Sequence, residues 1–162
     1  GAFATLSGAF SQTERFRRES LQQRIDTHEL RWANAEARLA RLLHDNEKYD
    51  EAEPVYRRAT DTFRVLGRYE QAAPAMLDYA DILIARGRKA SDDRDAALAE
   101  RLLMDTIDMV NALPKPDRGL LRATYERLRV LYGPEFWDDP AALEEVNATI
   151  ERLSAEPPQP AN

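Results

Sequence analysis

KYDEAEPVYRRATDTFRVLG, Lys48 to Gly67, reads as the second half of a helical hairpin whose first half is LRWANAEARLARLLHDNE just before it. Leu39, Ala40, Leu43, Tyr49, Ala52, Tyr56 and Ala59 recur at helical spacing. The large members fill the gap between two antiparallel helices. The small ones, Ala40, Ala52 and Ala59, sit where the backbones come closest. Pro54 falls near the start of the second helix, where a missing N–H costs little, and Gly67 ends it.

Working outward, the pattern repeats. Tyr79-Ala80, Leu83 and Gly87 copy Leu39-Ala40, Leu43 and Glu47 at a shift of 40 residues. Ala99, Leu103 and Thr106 then match Ala52, Tyr56 and Ala59, after a longer polar turn, Lys89 to Asp95. Periodic packing of this kind predicts an all-α fold of six to seven helices, built as antiparallel hairpins stacked side by side. The hairpins are expected over 28–67, 68–113 and 117–154. Arg68 to Arg86 forms the third helix with Gly87 as its stop. Asn46 is expected to take the left-handed conformation that closes the first hairpin helix. Asp117 and Asp139-Pro140 are N-terminal signals for the last two helices.

Upstream, Ser11 to Glu14 fits a capping box, so a helix is expected over Ser11 to Ile25. Phe10, Phe16, Leu21 and Ile25 supply its apolar stripe. Asp26-Thr27 marks a break or is run through, since neither Gly nor Pro stands there. Residues 1–10, GAFATLSGAF, are expected as a loose segment, with 11–154 as one repeat domain and 155–162 as a disordered tail. Membrane contact is expected only if 1–10 is the end of a truncated anchor. Trp32 is expected in the core.

Composition narrows the function. The chain has 162 residues, enough for one cored domain, with 43% apolar and 32% charged residues. Its net charge of −6, with acids and bases interleaved, suits a phosphate backbone poorly, so nucleic acid is not expected as a partner. Absent cysteine excludes disulfides and thiolate chemistry. Only Lys48, Lys89 and Lys115 of the 23 basic residues are lysine, the arginine bias that a GC-rich bacterial genome produces. A cytoplasmic location is the first expectation, with periplasmic and membrane-tethered placements as alternatives.

The chemistry-bearing patterns fall short of sites. His28-Glu29 would need a second histidine at 32, where Trp32 stands. Ser91 to Asp95 lacks the glycine and distant glutamate of a calcium loop. Glu144-Glu145 and Asp138-Asp139 are sequence neighbours, and adjacent helical residues do not face each other. We therefore expect no enzyme, no metal and no cofactor.

Tyr49 to Gly67, YDEAEPVYRRA above all, resembles the tetratricopeptide repeats of the kinesin light chain type, which run to about 42 residues rather than about 34. The 40-residue shift agrees. In the third hairpin no clean small residue marks the close contact. The resemblance implies a right-handed α-solenoid whose first helices line a concave groove. It also implies a protein or peptide as partner and an adaptor or scaffold role. On that register the groove carries Asn34, Arg41 and His44, then Asp81, then Arg122 and Arg129. A lysine–asparagine clamp for a C-terminal carboxylate is not expected, because Asp81 occupies the groove. Phe136-Trp137 has two readings, a plug for the end of the stack or an exposed aromatic anchor. The alternative function is structural: a homodimer, or docking on another domain of the same chain.

Overall fold

Small side chains decide where the helices meet. Ala40, Ala52, Ala59, Ala80, Ala99 and Thr106 are all fully buried, so the spacing read from the sequence is the spacing of the helix contacts. The computed structural model describes residues 2–155. Six helices follow in order: α1 (Ala2–Asp45), α2 (Tyr49–Val65), α3 (Tyr69–Lys89), α4 (Arg94–Ala112), α5 (Arg118–Tyr132) and α6 (Pro140–Ser154). Among the described residues there is no strand, and no helix is long and apolar enough to cross a membrane. Each helix packs on the next, giving successive hairpins in a solenoid-like stack. Tyr56, Phe63, Met76, Leu83, Leu103 and Leu131 form its continuous core. Fully burying a side chain of this size contributes roughly 2–3 kcal/mol.

The buried threonines reconcile a hydroxyl with an apolar setting. Thr60, Thr106 and Thr124 each donate to the carbonyl one turn earlier, on Tyr56, Leu102 and Leu120, at 2.8, 2.7 and 2.7 Å. Thr124 thereby serves as the small contact residue of α5. Asp117 and Asp139 cap α5 and α6, accepting from the backbone N–H of Leu120 and Ala142 at 3.1 Å each.

Several expectations need correction. Residues 2–10 are not loose: α1 is one helix of 44 residues, and Ser11 caps nothing. Asp26-Thr27 does not interrupt it, because both side chains are absorbed locally. Thr27 donates to the Gln23 carbonyl at 2.8 Å, and Asp26 accepts from Gln22 at 2.9 Å. The expected tail lies, from residue 156 onward, outside the described residues. Gly87 does not end α3, which continues to Lys89. A Cβ at Gly87 would lie 3.3 Å from Phe136 Cε1, so the glycine is there to admit that ring. Trp32 is 64% exposed rather than core, and Leu39 and Leu42 also face outward.

The turns before α2 and α3 are the same structure. Glu47 and Gly67 take positive φ, 60° and 67°, so the left-handed residue is Glu47 and not Asn46. Behind each, a backbone N–H closes on the preceding helix: Lys48 to Leu43 at 2.9 Å and Arg68 to Phe63 at 2.7 Å. The helices that follow open alike, Lys48-Tyr49-Asp50 with Ala52 and Pro54, then Arg68-Tyr69-Glu70 with Ala72 and Pro74. Each proline is the sixth residue of its helix, beyond the first turn, and forfeits one helical hydrogen bond.

One arginine joins the first two hairpins. Arg86 on α3 donates to both oxygens of Asp95 on α4, at 2.8 and 2.9 Å, and to Asp50 on α2 at 2.9 Å. It also lies 2.6 Å from Glu53, which accepts from the Tyr79 hydroxyl at 3.2 Å. The Asp95 hydrogen bonds, reinforced by Glu53 and Asp50, outweigh burial and raise the Arg86 pKa.

Arg86→Met should lower unfolding stability by about 2 kcal/mol in urea titrations, because it strands the part-buried Glu53 and Asp95 carboxylates. At the twin turns, Glu47→Gly should stabilise by about 1 kcal/mol and Gly67→Ala destabilise by about as much, since only glycine is unstrained at positive φ.

Candidate functional site

The first helices of the hairpins, α1, α3 and α5, approach one another in sequence along one face of the stack. The second helices α2 and α4 stay apart at backbone level and are bridged by long side chains, Arg64 and Asp105 at 3.6 Å. The α1–α3–α5 side is thus the more closely packed of the two at backbone level.

That face carries alternating charge. Arg41 on α1 donates to Asp45 at 3.1 Å and reaches across to Asp78 on α3 at 3.0 Å. One turn further along α3, Asp81 accepts both arms of Arg127 from α5, at 2.8 and 2.9 Å. Arg127 also donates to the Ala123 carbonyl at 2.8 Å, which fixes its direction. Asp78 and Asp81 would repel one another on the same side of α3, and each is held by an arginine from a different neighbour. Burial pushes the Asp78 carboxyl above its usual range, and Asp81 adds to this, although Arg41 pulls the other way. Asp78 in turn raises Arg41.

Between α1 and α3 an open cleft of about 450 Å³ is lined by Asn34, Ala37, Arg38, Arg41, Pro74 and Asp78, among others, with Tyr56 and Phe63 deeper in. Asn34 is half-buried there. His44 is half-buried beyond it, its ring edge-on to Tyr49 and Tyr56 at 5.9 and 6.4 Å. His44 Nδ1 and Tyr56 Oη are buried without a hydrogen-bond partner. Burial raises the Tyr56 phenol pKa, and the Asp78 carboxylate reinforces the rise.

The expected groove residues therefore divide. Asn34, Arg41 and His44 lie on or beside the cleft, and Asp81 lies on the same face but is engaged by Arg127. Arg122 and Arg129 are not brought to these residues. Arg122 is exposed and pairs within its own helix with Glu126 at 3.4 Å, and Arg129 is exposed. Burial of Leu121, Thr124 and Leu128 sets the rotation of α5 and leaves Arg127 facing α3. Sequence reasoning missed Asp78, Arg86 and Arg127, whose partners lie 37, 9 and 46 residues away. A helical period signals nothing at such separations.

The aromatic pair is not an exposed anchor. Phe136 and Trp137 are part-buried against the core. Phe136 covers Gly87, and the Trp137 ring lies 5.9 Å from that of Tyr132. Among the described residues no group of three or more His, Asp or Glu side chains is placed to hold a metal ion. Compared with protein-family models, curated proteins and solved structures, the chain matches none.

Tyr132 carries a pH prediction. Burial, then a hydrogen bond with Glu100, pushes its phenol up to about 12 from 10.0. The unfolded chain thus loses this proton first. Its contribution to stability is complete below pH 10 and is lost as pH rises towards 12. Tyr132→Phe should flatten the fall in urea midpoint over that window; an unchanged slope would put the alkaline transition elsewhere.

Proposed function

We propose that this chain is a non-catalytic protein-interaction module of tetratricopeptide type, a right-handed helical stack that takes an extended peptide or protein segment across its α1–α3–α5 face. The observation that carries this reading is the cleft between α1 and α3, flanked by Arg38, Arg41 and Asp78 with Ala37 and Pro74 as its apolar surface. Charged walls beside the apolar surface of Ala37 and Pro74 supply orientation and apolar contact together. The Arg41–Asp78 and Asp81–Arg127 pairs keep that face set before a partner arrives, which reduces the ordering cost of binding. Affinity for a short peptide should be modest, roughly micromolar.

A second reading, a structural domain that pairs with itself, is favoured by the exposed apolar side chains of α1.

Peptide-display selection on the chain tests the first reading. Enriched peptides should lose about tenfold or more in affinity to Asn34→Trp/Arg38→Glu, which fills the cleft and reverses one wall without touching the α1–α3 ion pair. The thermal midpoint of that variant should stay within a few degrees of wild type. Peptides that bind both proteins equally would place the working surface elsewhere.

A further inference from the structure

The N-terminal part of α1 stands clear of the stack. From Ala2 to Thr27 only Glu14 and Asp26 are even half-buried. There Gln22 and Thr27 hydrogen-bond to Asp26 and the Gln23 carbonyl, and Arg17 pairs with Glu14, all within α1 and three or four residues away. At 1.5 Å per residue this arm is about 40 Å long. A lone helix in water gains little from propensity and most of its stability from a covered apolar face.

Such a face exists. Phe3, Leu6, Phe10, Leu21 and Ile25 are all exposed large apolar residues, and Phe3 is 91% exposed. With Glu14, Arg17 and His28 they fall within an arc of about 100° on an ideal helix. They follow an eleven-residue spacing, Phe3 to Glu14 to Ile25, Leu6 to Arg17 to His28, and Phe10 to Leu21 to Trp32. Eleven residues complete about three turns, so the stripe runs nearly straight along the helix. Phe16 lies on another side. Counting Trp32 and Val65, the exposed apolar side chains of the stripe amount to roughly 800 Å², about what one partner contributes to a standard interface.

The order of residues along the stripe names its occupant. We propose that the arm pairs antiparallel with the same arm of a second copy of this chain. In one antiparallel register Leu6 faces the partner's Ile25, Phe10 faces the partner's Leu21, and Glu14 faces the partner's Arg17. Apolar meets apolar and acid meets base at these three levels, and the two-fold axis lies between residues 15 and 16. A parallel in-register pair would instead set Glu14 against Glu14 and Arg17 against Arg17. The same antiparallel register brings the partner's Phe3 to His28. There a pocket of about 470 Å³ opens between α1 and α2, lined by His28, Trp32, Asp61, Thr62 and Val65. Val65 is 83% exposed in the single chain and would be covered by that ring. The two stacks then sit at opposite ends of the paired arms, clear of each other, with both clefts open. The dimer uses a surface separate from the cleft, so it stands or falls independently of peptide binding.

Sedimentation of the whole chain over a roughly hundredfold dilution should show a dimer that dissociates on dilution. Glu14→Arg or Arg17→Glu alone should weaken it about tenfold or more by placing like charges face to face, and mixing the two variants should restore a heterodimer. The chain has no cysteine, so introduced thiols report alone. Phe10→Cys mixed with Leu21→Cys should cross-link rapidly, and Phe10→Cys by itself should not. Circular dichroism of the variants checks that the stack, which the arm does not help to bury, stays folded. A mass that stays monomeric throughout, or preferential Phe10→Cys self-linking, overturns the proposal. So does a monomer that floats with phosphatidylcholine vesicles through Phe3, Leu6 and Phe10.

Discussion

The guanidinium of Arg86 lies among carboxylates from two other helices, and the relation between the first two hairpins depends on it. Helix-on-helix apolar packing is tolerant of small sliding motions, whereas a fork of hydrogen bonds is not. Asp95 is met by two arms of that fork, and Asp50 and Glu53 fix its remaining direction. Tyr79 extends the arrangement inward through Glu53, and its ring stacks on Tyr56 at 6.2 Å. A polar clamp at one edge is thereby tied to the aromatic layer beneath the cleft.

The same logic operates elsewhere on α3. Arg41 and Arg127 hold Asp78 and Asp81 from left and right, so α3 is gripped by its neighbours on both flanks. The stack is not a pile of independent hairpins: its middle helix has ion pairs to α1, α2, α4 and α5. That arrangement leaves the α1–α3–α5 face polar, ordered and largely self-satisfied, with an open cleft beside Asn34 and Arg38.

Much of the fold was legible because it is written in local periodicity. Ala40, Ala52, Ala80 and Ala99 are positions where any larger side chain would push helices apart, and their spacing alone locates the contacts. Asp117 and Asp139 act within three residues, and they too were readable. What was not legible acts at a distance or lacks a breaker. The continuity of α1 was hidden because GAFATLSGAF has too little charge to look like a solvated helix and nothing in it stops one. Gly87 looked like a terminator, and its cause, the Phe136 ring, lies 49 positions later. The charged residues of the α1–α3–α5 face were legible only in part. Asn34, Arg41 and Asp81 followed from the repeat register, but the rotation of α5 that selects Arg127 over Arg122 and Arg129 comes from burial of Leu121 and Leu128.

The unbroken passage of α1 from the arm into the first hairpin also makes it a torsional ruler. A continuous helix transmits rotation as well as distance, at about 100° and 1.5 Å for each residue. Whatever is joined to the arm therefore holds a set angle to the α1–α3–α5 face of the stack as well as a set separation. Inserting one residue near Asp26 would swing the apolar residues of the arm, Phe3 to Ile25, by more than a quarter turn around the axis relative to His28 and the stack. Between Thr27 and Leu30 the length of the chain therefore acts as a coordinate of the molecule, coupling two surfaces that share no side chain.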